Sequence, residues 1–210
     1  MIPVVRERIW KKGLWAVLAM MTLSVIFYSE VPLLRQVQER AYLSTILLLI
    51  VPHILAGSIA LLSGPLQFSS RFRQLRPRFH RVLGRVYVVS VFIAAPLGIV
   101  LALHRHDARA VHWVAAVVVQ SGAWMLTTAA AFLAAWNRHY PRHREWMVRS
   151  YAVTLTFVGT RVLQPIPFWN RHSEAVFAME IIVITFLAIL IPDIALNWSA
   201  FVSRRPHASS

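Results

Sequence analysis

Two strings of the chain set out the same side-chain chemistry. "PRFHRVLGRVYVVS" begins at Pro77 and "PRHREWMVRSYAVT" begins at Pro141. Each places a His-Arg pair, a further Arg about a turn on, and a Tyr two residues later. Two more histidines sit in neighbouring apolar runs, His53 in the middle of one and His112 at the head of another. Imidazoles that face each other in an apolar helical interior are a natural axial pair for a haem iron. The expected pairs are His80 with His143 and His53 with His112. Arg81, Arg85, Arg144 and Arg149 are placed to hold haem propionates by charge-assisted bonds. Tyr87 and Tyr151 either hydrogen-bond such a cofactor or sit in an interfacial aromatic belt. The expected cofactor is haem b.

His112 is the weaker partner in depth, since it lies nearer its helix start than His53 does. Gln120, two turns deeper on the same face, is the alternative polar neighbour of His53. Arg161 either snorkels to the surface or anchors an anionic group. Glu180 and Asp193 call for cationic partners, and Arg161 with Glu180 is the depth-matched couple. The alternative metal reading is zinc on His53, His80 and His143, with Asp193 as a fourth ligand, as in a membrane hydrolase. Zinc needs a compact tetrahedral cluster, and the depths of His53 and His80 oppose one. A third reading is a non-catalytic transporter-like or assembly subunit, with Arg161 and Glu180 as internal glue.

These residues need elements to position them, and composition says which. The 210 residues are 58% hydrophobic and 14% charged. Soluble domains run nearer half apolar and a quarter charged. Mean hydropathy is +0.58, so the bilayer is the expected surroundings. The formal net charge of +14 is gathered in gaps between apolar runs, the pattern of a polytopic protein rather than of one that binds nucleic acid. The chain has no cysteine, which excludes disulfides, thiolate metal sites and Cys nucleophiles.

Six runs approach the roughly 20 residues that cross a bilayer: 14–28, 42–62, 84–103, 113–136, 147–163 and 175–202. Gly64-Pro65 reads as the turn that closes the second. Arginines crowd every second gap, with Arg71, Arg73, Arg76, Arg78 and Arg81 in one and Arg138, Arg142 and Arg144 in another. The positive-inside rule then predicts that both termini are cytoplasmic. The expected fold is all-α, a polytopic membrane protein of six transmembrane helices in one integral-membrane domain over 1–210. Residues 1–40 form an anchor helix and outer loop, 41–165 a four-helix core, 166–203 the sixth helix and 204–210 a basic tail. The core reads as a tandem hairpin repeat, because each copy of the repeated string falls at the same turn of a hairpin.

"PHILAGSIALLSGPLQF", "FHRVLGRVY", "HREWMVRSYAVT" and "TRVLQP" resemble an uncharacterised family of bacterial predicted membrane proteins, a domain of unknown function. The likeness covers about 51–165. It marks His53, Gly57, His80, Arg81, Gly84, Arg85, Tyr87, His143, Arg144, Trp146, Met147, Arg149, Ser150, Tyr151 and Arg161, and departs at His112. One histidine on each of four consecutive spans also resembles, in architecture, the six-helix di-haem transmembrane b-type cytochromes. That resemblance implies electron transfer across a bacterial cytoplasmic membrane, with a quinone or another redox partner. No phosphate-cradling loop, zinc helix or nucleophile elbow occurs in the sequence.

Overall fold

A computed structural model describes residues 44–104, 110–163 and 173–202, with isolated positions between 16 and 27. The expected first span, the loops 105–109 and 164–172, and the basic tail lie outside the described residues. Within them the chain is helical: α1 Ser44–Phe68, α2 Ser70–Leu75, α3 Pro77–Leu103, α4 Ala110–Trp136, α5 Tyr140–Leu163 and α6 Glu174–Val202.

Four of these are long and apolar enough to cross a membrane: α1, α3, α4 and α6. The reason is physical. In hydrocarbon a helix satisfies its own backbone, and these runs offer apolar side chains all round. α5 has the length but carries Arg142, Arg144, Glu145, Arg149 and Arg161. Its neighbours make up for this. Ser150, Tyr151, Val153, Thr154, Thr156, Val158 and Thr160 of α5 are all buried. The most polar of the long helices is thus the one wrapped by the others.

α1 packs chiefly on α3, α3 on α4, and α4 on α5, while α6 lies against both α4 and α5. α1 meets α5 over a smaller area, where Tyr151 makes the contact. Its ring lies 5.5 Å from that of Phe68, beside a core of Ala60, Tyr87, Val91, Ala131 and Met147. A second core joins α4 to α6 through Ala116, Ala178 and Ile181, with Trp113 stacked on Phe177 at 5.7 Å.

The expected turn at Gly64-Pro65 is absent: α1 continues through both residues to Phe68. Pro65 has no N–H, so the Leu61 carbonyl one turn back loses its helical donor. The Tyr151 hydroxyl supplies the replacement, donating to Leu61 O at 3.1 Å. α1 gives way to α2 at Ser69, whose Oγ caps the Phe72 N–H at 3.2 Å. Pro77 then opens α3, a position where its missing N–H costs nothing.

The α4–α5 turn places Arg138 at φ 60. His139 N–H bonds to Ala134 O at 2.8 Å and Arg138 N–H to Ala135 O at 3.0 Å, the paired closure of a Schellman motif, which ordinarily has Gly at this position. The left-handed region costs an L-residue about 1–2 kcal/mol. Arg138→Gly is therefore expected to stabilise the protein by roughly 0.5–1 kcal/mol, raising Tm by about 2 °C in thermal unfolding in detergent. A fall in Tm would contradict this account of the turn.

Candidate functional site

The end of the bundle formed by α2, the starts of α3 and α5 and the finish of α4 gathers the arginines; we call it the arginine-rich end. Toward the opposite end lies a cavity of about 550 Å³ bounded by α1, α3, α4, α5 and α6. Aliphatic and aromatic side chains make most of its wall, and His53, Ser58, Gln120, Ser121, Thr154, Thr160 and Arg161 contribute polar groups. An apolar cavity with a few convergent polar groups is the usual form of a ligand site.

His53 is fixed from its far side. Its Nδ1 stands 2.8 Å from the Ala94 carbonyl of α3. A carbonyl oxygen only accepts, so Nδ1 is the protonated nitrogen and Nε2 is left to bind something else. Histidines that ligate metals are commonly oriented this way. The approach needs Gly98, where an added Cβ would stand 3.1 Å from His53 Cε1. Arg161 lies on the same cavity wall, within electrostatic reach of His53, its guanidinium 5.3 Å above the Phe157 ring. Gln120 shares the cavity and donates from Nε2 to Thr156 Oγ1.

His112 takes no part in this site. It is exposed near the start of α4. At about 1.5 Å per residue, His53 lies roughly 13 Å into α1 and His112 about 3 Å into α4. The imidazole pair expected there is therefore not assembled, and Gln120 and Ser121 are the polar groups from α4 at that depth.

His80 and His143 lie together at the arginine-rich end, within electrostatic reach of each other and, for His80, of Arg73. His143 repeats the arrangement of His53, its Nδ1 standing 2.9 Å from the Ala131 carbonyl of α4. His80 differs, since its Nδ1 is buried without a hydrogen-bond partner. The two copies of the repeated string are thus not equivalent in side-chain bonding. His53 lies far from this pair along the bundle axis. Among the described residues no three His, Asp or Glu side chains come together to hold a metal ion. That corrects the zinc set of His53, His80 and His143: His53 meets α3 at Ala94, roughly 20 Å along the helix from His80, whereas zinc would need its ligands within one coordination sphere.

The arginines divide. Arg161 lines the cavity, whereas Arg81, Arg85 and Arg144 are exposed on the outside of the bundle. Arg149 is buried and spoken for. It forms an ion pair with Asp193 of α6, lies 3.8 Å from Glu145 and stacks at 4.9 Å over Trp146. The expected Arg161–Glu180 couple is not formed, and Glu180 Oε1 is buried without a partner. Asp193 pairs instead with the arginine at its own depth.

Tyr87 and Tyr151 are buried structural residues, not members of an interfacial belt. The Tyr87 hydroxyl lies 2.7 Å from Ser150 Oγ and 2.9 Å from Thr154 Oγ1. Ser150 Oγ meets Thr128 Oγ1 at 2.7 Å, and Trp124 Nε1 donates to Thr154 Oγ1 at 2.9 Å. This network ties α3, α4 and α5 together and reaches the cavity through Thr154 and Trp124. Sequence reasoning passed over Gly98, Trp124 and Thr154. The i, i+4 spacing of Ser150 and Thr154 was the available signal, since it puts two hydroxyls on one face of a helix.

No curated protein matches the chain, and no solved structure does. The family described as Predicted membrane protein (DUF2306) matches residues 50–198, a span that holds His53, His80 and His143 and most of the four apolar helices, and the chain belongs to that family.

Proposed function

We propose that this integral membrane protein binds haem b and passes electrons within the bilayer, with its principal site in the cavity around His53. The observation that favours this is the His53 ring, held through Nδ1 by a backbone carbonyl in an apolar cavity that also contains a cation. The donor set fits the group: His53 Nε2 would hold the iron, and Arg161 would neutralise an acidic edge. When bound, haem would supply a one-electron couple. The residues do the rest. Ala94 O fixes the imidazole tautomer, Gly98 lets the ring approach α3, and the apolar wall keeps water away. His80 and His143 would form a second, bis-imidazole site at the arginine-rich end. By the charge rule that end faces the cytoplasm, in a bacterial cytoplasmic membrane, with a quinone as the redox partner.

The test is a visible spectrum of the protein expressed with added haem precursor and purified in mild detergent. We expect a Soret band and an alpha band that sharpens on dithionite reduction. His53→Ala should lower bound haem by about half, since the His80–His143 site stays filled, and His53→Ala combined with His80→Ala should lower it tenfold or more; His112→Ala should leave it unchanged. A colourless wild-type protein that elutes as a single folded species would end this reading.

The presence of one imidazole rather than two in the cavity favours a second reading, in which the cavity takes a quinol headgroup directly. His53 Nε2 would accept its hydroxyl hydrogen bond, and Arg161 would bind its other oxygen. Saturable binding of a short-chain quinol by colourless protein, lost in His53→Ala, would select it.

A further inference from the structure

Three guanidinium groups descend one face of α3 with nothing among the described residues to neutralise them. Arg78, Arg81 and Arg85 are spaced i, i+3, i+7, and so share a stripe of the helix. All three are exposed, and none has a hydrogen bond, ion pair or ring contact among the described residues. Arg85 stands about 12 Å below the helix start, inside a stretch apolar enough to cross a membrane. An unpaired cation at that depth is costly, and the usual remedy is an anionic partner or a route to the interface. The described residues around the stripe offer no such partner. No acidic residue occurs between Ser44 and Asp107, and Glu145 lies beside Arg149.

A second stripe runs beside the first. Phe79, Val82, Val86 and Val89 follow at i, i+3, i+7, i+10 on the adjoining face, and all are exposed. A cationic ladder that starts at the helix end and an apolar ladder alongside it match the two parts of one molecule. We propose that this face of α3 binds an anionic phospholipid, with its phosphate on Arg78, Arg81 and Arg85 and its acyl chains along Phe79, Val82, Val86 and Val89. The guanidinium fork suits phosphate oxygens, which it binds in pairs. Arg85 reaches up toward the headgroup while its methylenes stay among the acyl chains. The site is separate from the His53 cavity, and the proposal does not depend on haem.

The experiment uses the full chain, stripped of lipid in mild detergent, with thermal unfolding as the readout. Phosphatidylglycerol should raise Tm by several degrees, whereas phosphatidylcholine or inorganic phosphate at equal concentration should not. The triple variant Arg78→Gln, Arg81→Gln, Arg85→Gln should need at least tenfold more phosphatidylglycerol for the same shift. A control triple variant of equal charge, Arg71→Gln, Arg142→Gln, Arg144→Gln, should respond as the wild type does. The proposal is overturned if both triple variants lose the response equally, since net charge alone would then be at work. It is also overturned if inorganic phosphate matches the lipid, or if no lipid shifts Tm.

Discussion

Gly64→Ala is expected to destabilise the protein by about 3 kcal/mol, the upper range for overpacking a filled core. A Cβ there would overlap Cδ2 and Cε2 of the Tyr151 ring and stand 2.8 Å from its Cζ. The ring cannot simply step aside. It packs against Phe68, and its hydroxyl serves the Leu61 carbonyl that Pro65 leaves open. Moving the ring thus adds an unsatisfied carbonyl to the steric strain. For a chain of this size the loss corresponds to a Tm fall of roughly 6–12 °C. Thermal unfolding of the purified variant in detergent measures it. A Tyr151→Ala background offers a second reading of the same contact. There the space is open, so adding Gly64→Ala should cost far less than it does alone, a non-additivity expected of residues in contact. An additive result would mean that the glycine matters for some reason other than the ring.

Asp193→Ala is expected to cost about 2 kcal/mol, less than for a fully buried pair, because the Arg149 side chain is buried but that of Asp193 is 48% exposed. Arg149 is 8% exposed, and its guanidinium pairs with Asp193 across the α5–α6 contact. Removing the carboxylate leaves a buried cation with Glu145 at 3.8 Å as its remaining counter-charge. Asn197 also loses an acceptor, since its Nδ2 lies 3.2 Å from Asp193 Oδ1. The pair itself is not worth this much. Replacing both members with apolar residues should be close to neutral, because the desolvation cost of the two charges disappears along with their attraction. Arg149→Met combined with Asp193→Leu should therefore recover most of the Tm lost in Asp193→Ala. If Asp193→Ala unfolds within a degree of the wild type, the pair is not what holds α6 to the bundle.

The two residues show how far a one-dimensional reading goes. Asp193 and Glu180 could both be recognised in the sequence as intramembrane acids in need of partners. Matching them by depth selected Arg161 for Glu180, since depth follows from helix rise. Azimuth does not, and it is azimuth that turns Arg149 toward α6 and Arg161 into the cavity. The same limit applies to the histidines. His53 stood out because an ionisable group in mid-span is conspicuous. That its Nδ1 would meet Ala94 O, with Gly98 clearing the way, depends on the rotation of α1 against α3. Gly64-Pro65 failed differently. Its local chemistry reads as a turn, but a bilayer rewards an unbroken helix wherever a neighbour can replace the lost bond, and that neighbour is Tyr151 on a distant part of the chain.

The sequence by itself determined the membrane setting, the helical class, the apolar runs and the clustering of arginines at one end, because these depend on summed hydrophobicity, helix rise and charge, all of which are local quantities. Tertiary structure alone decided that the most polar of the long helices lies innermost, that Arg149 belongs to Asp193, that His112 stays outside while Gln120 enters, and that His53 faces a cavity. Those outcomes rest on the rotation of each helix about its own axis, which is fixed by packing between segments far apart in the chain.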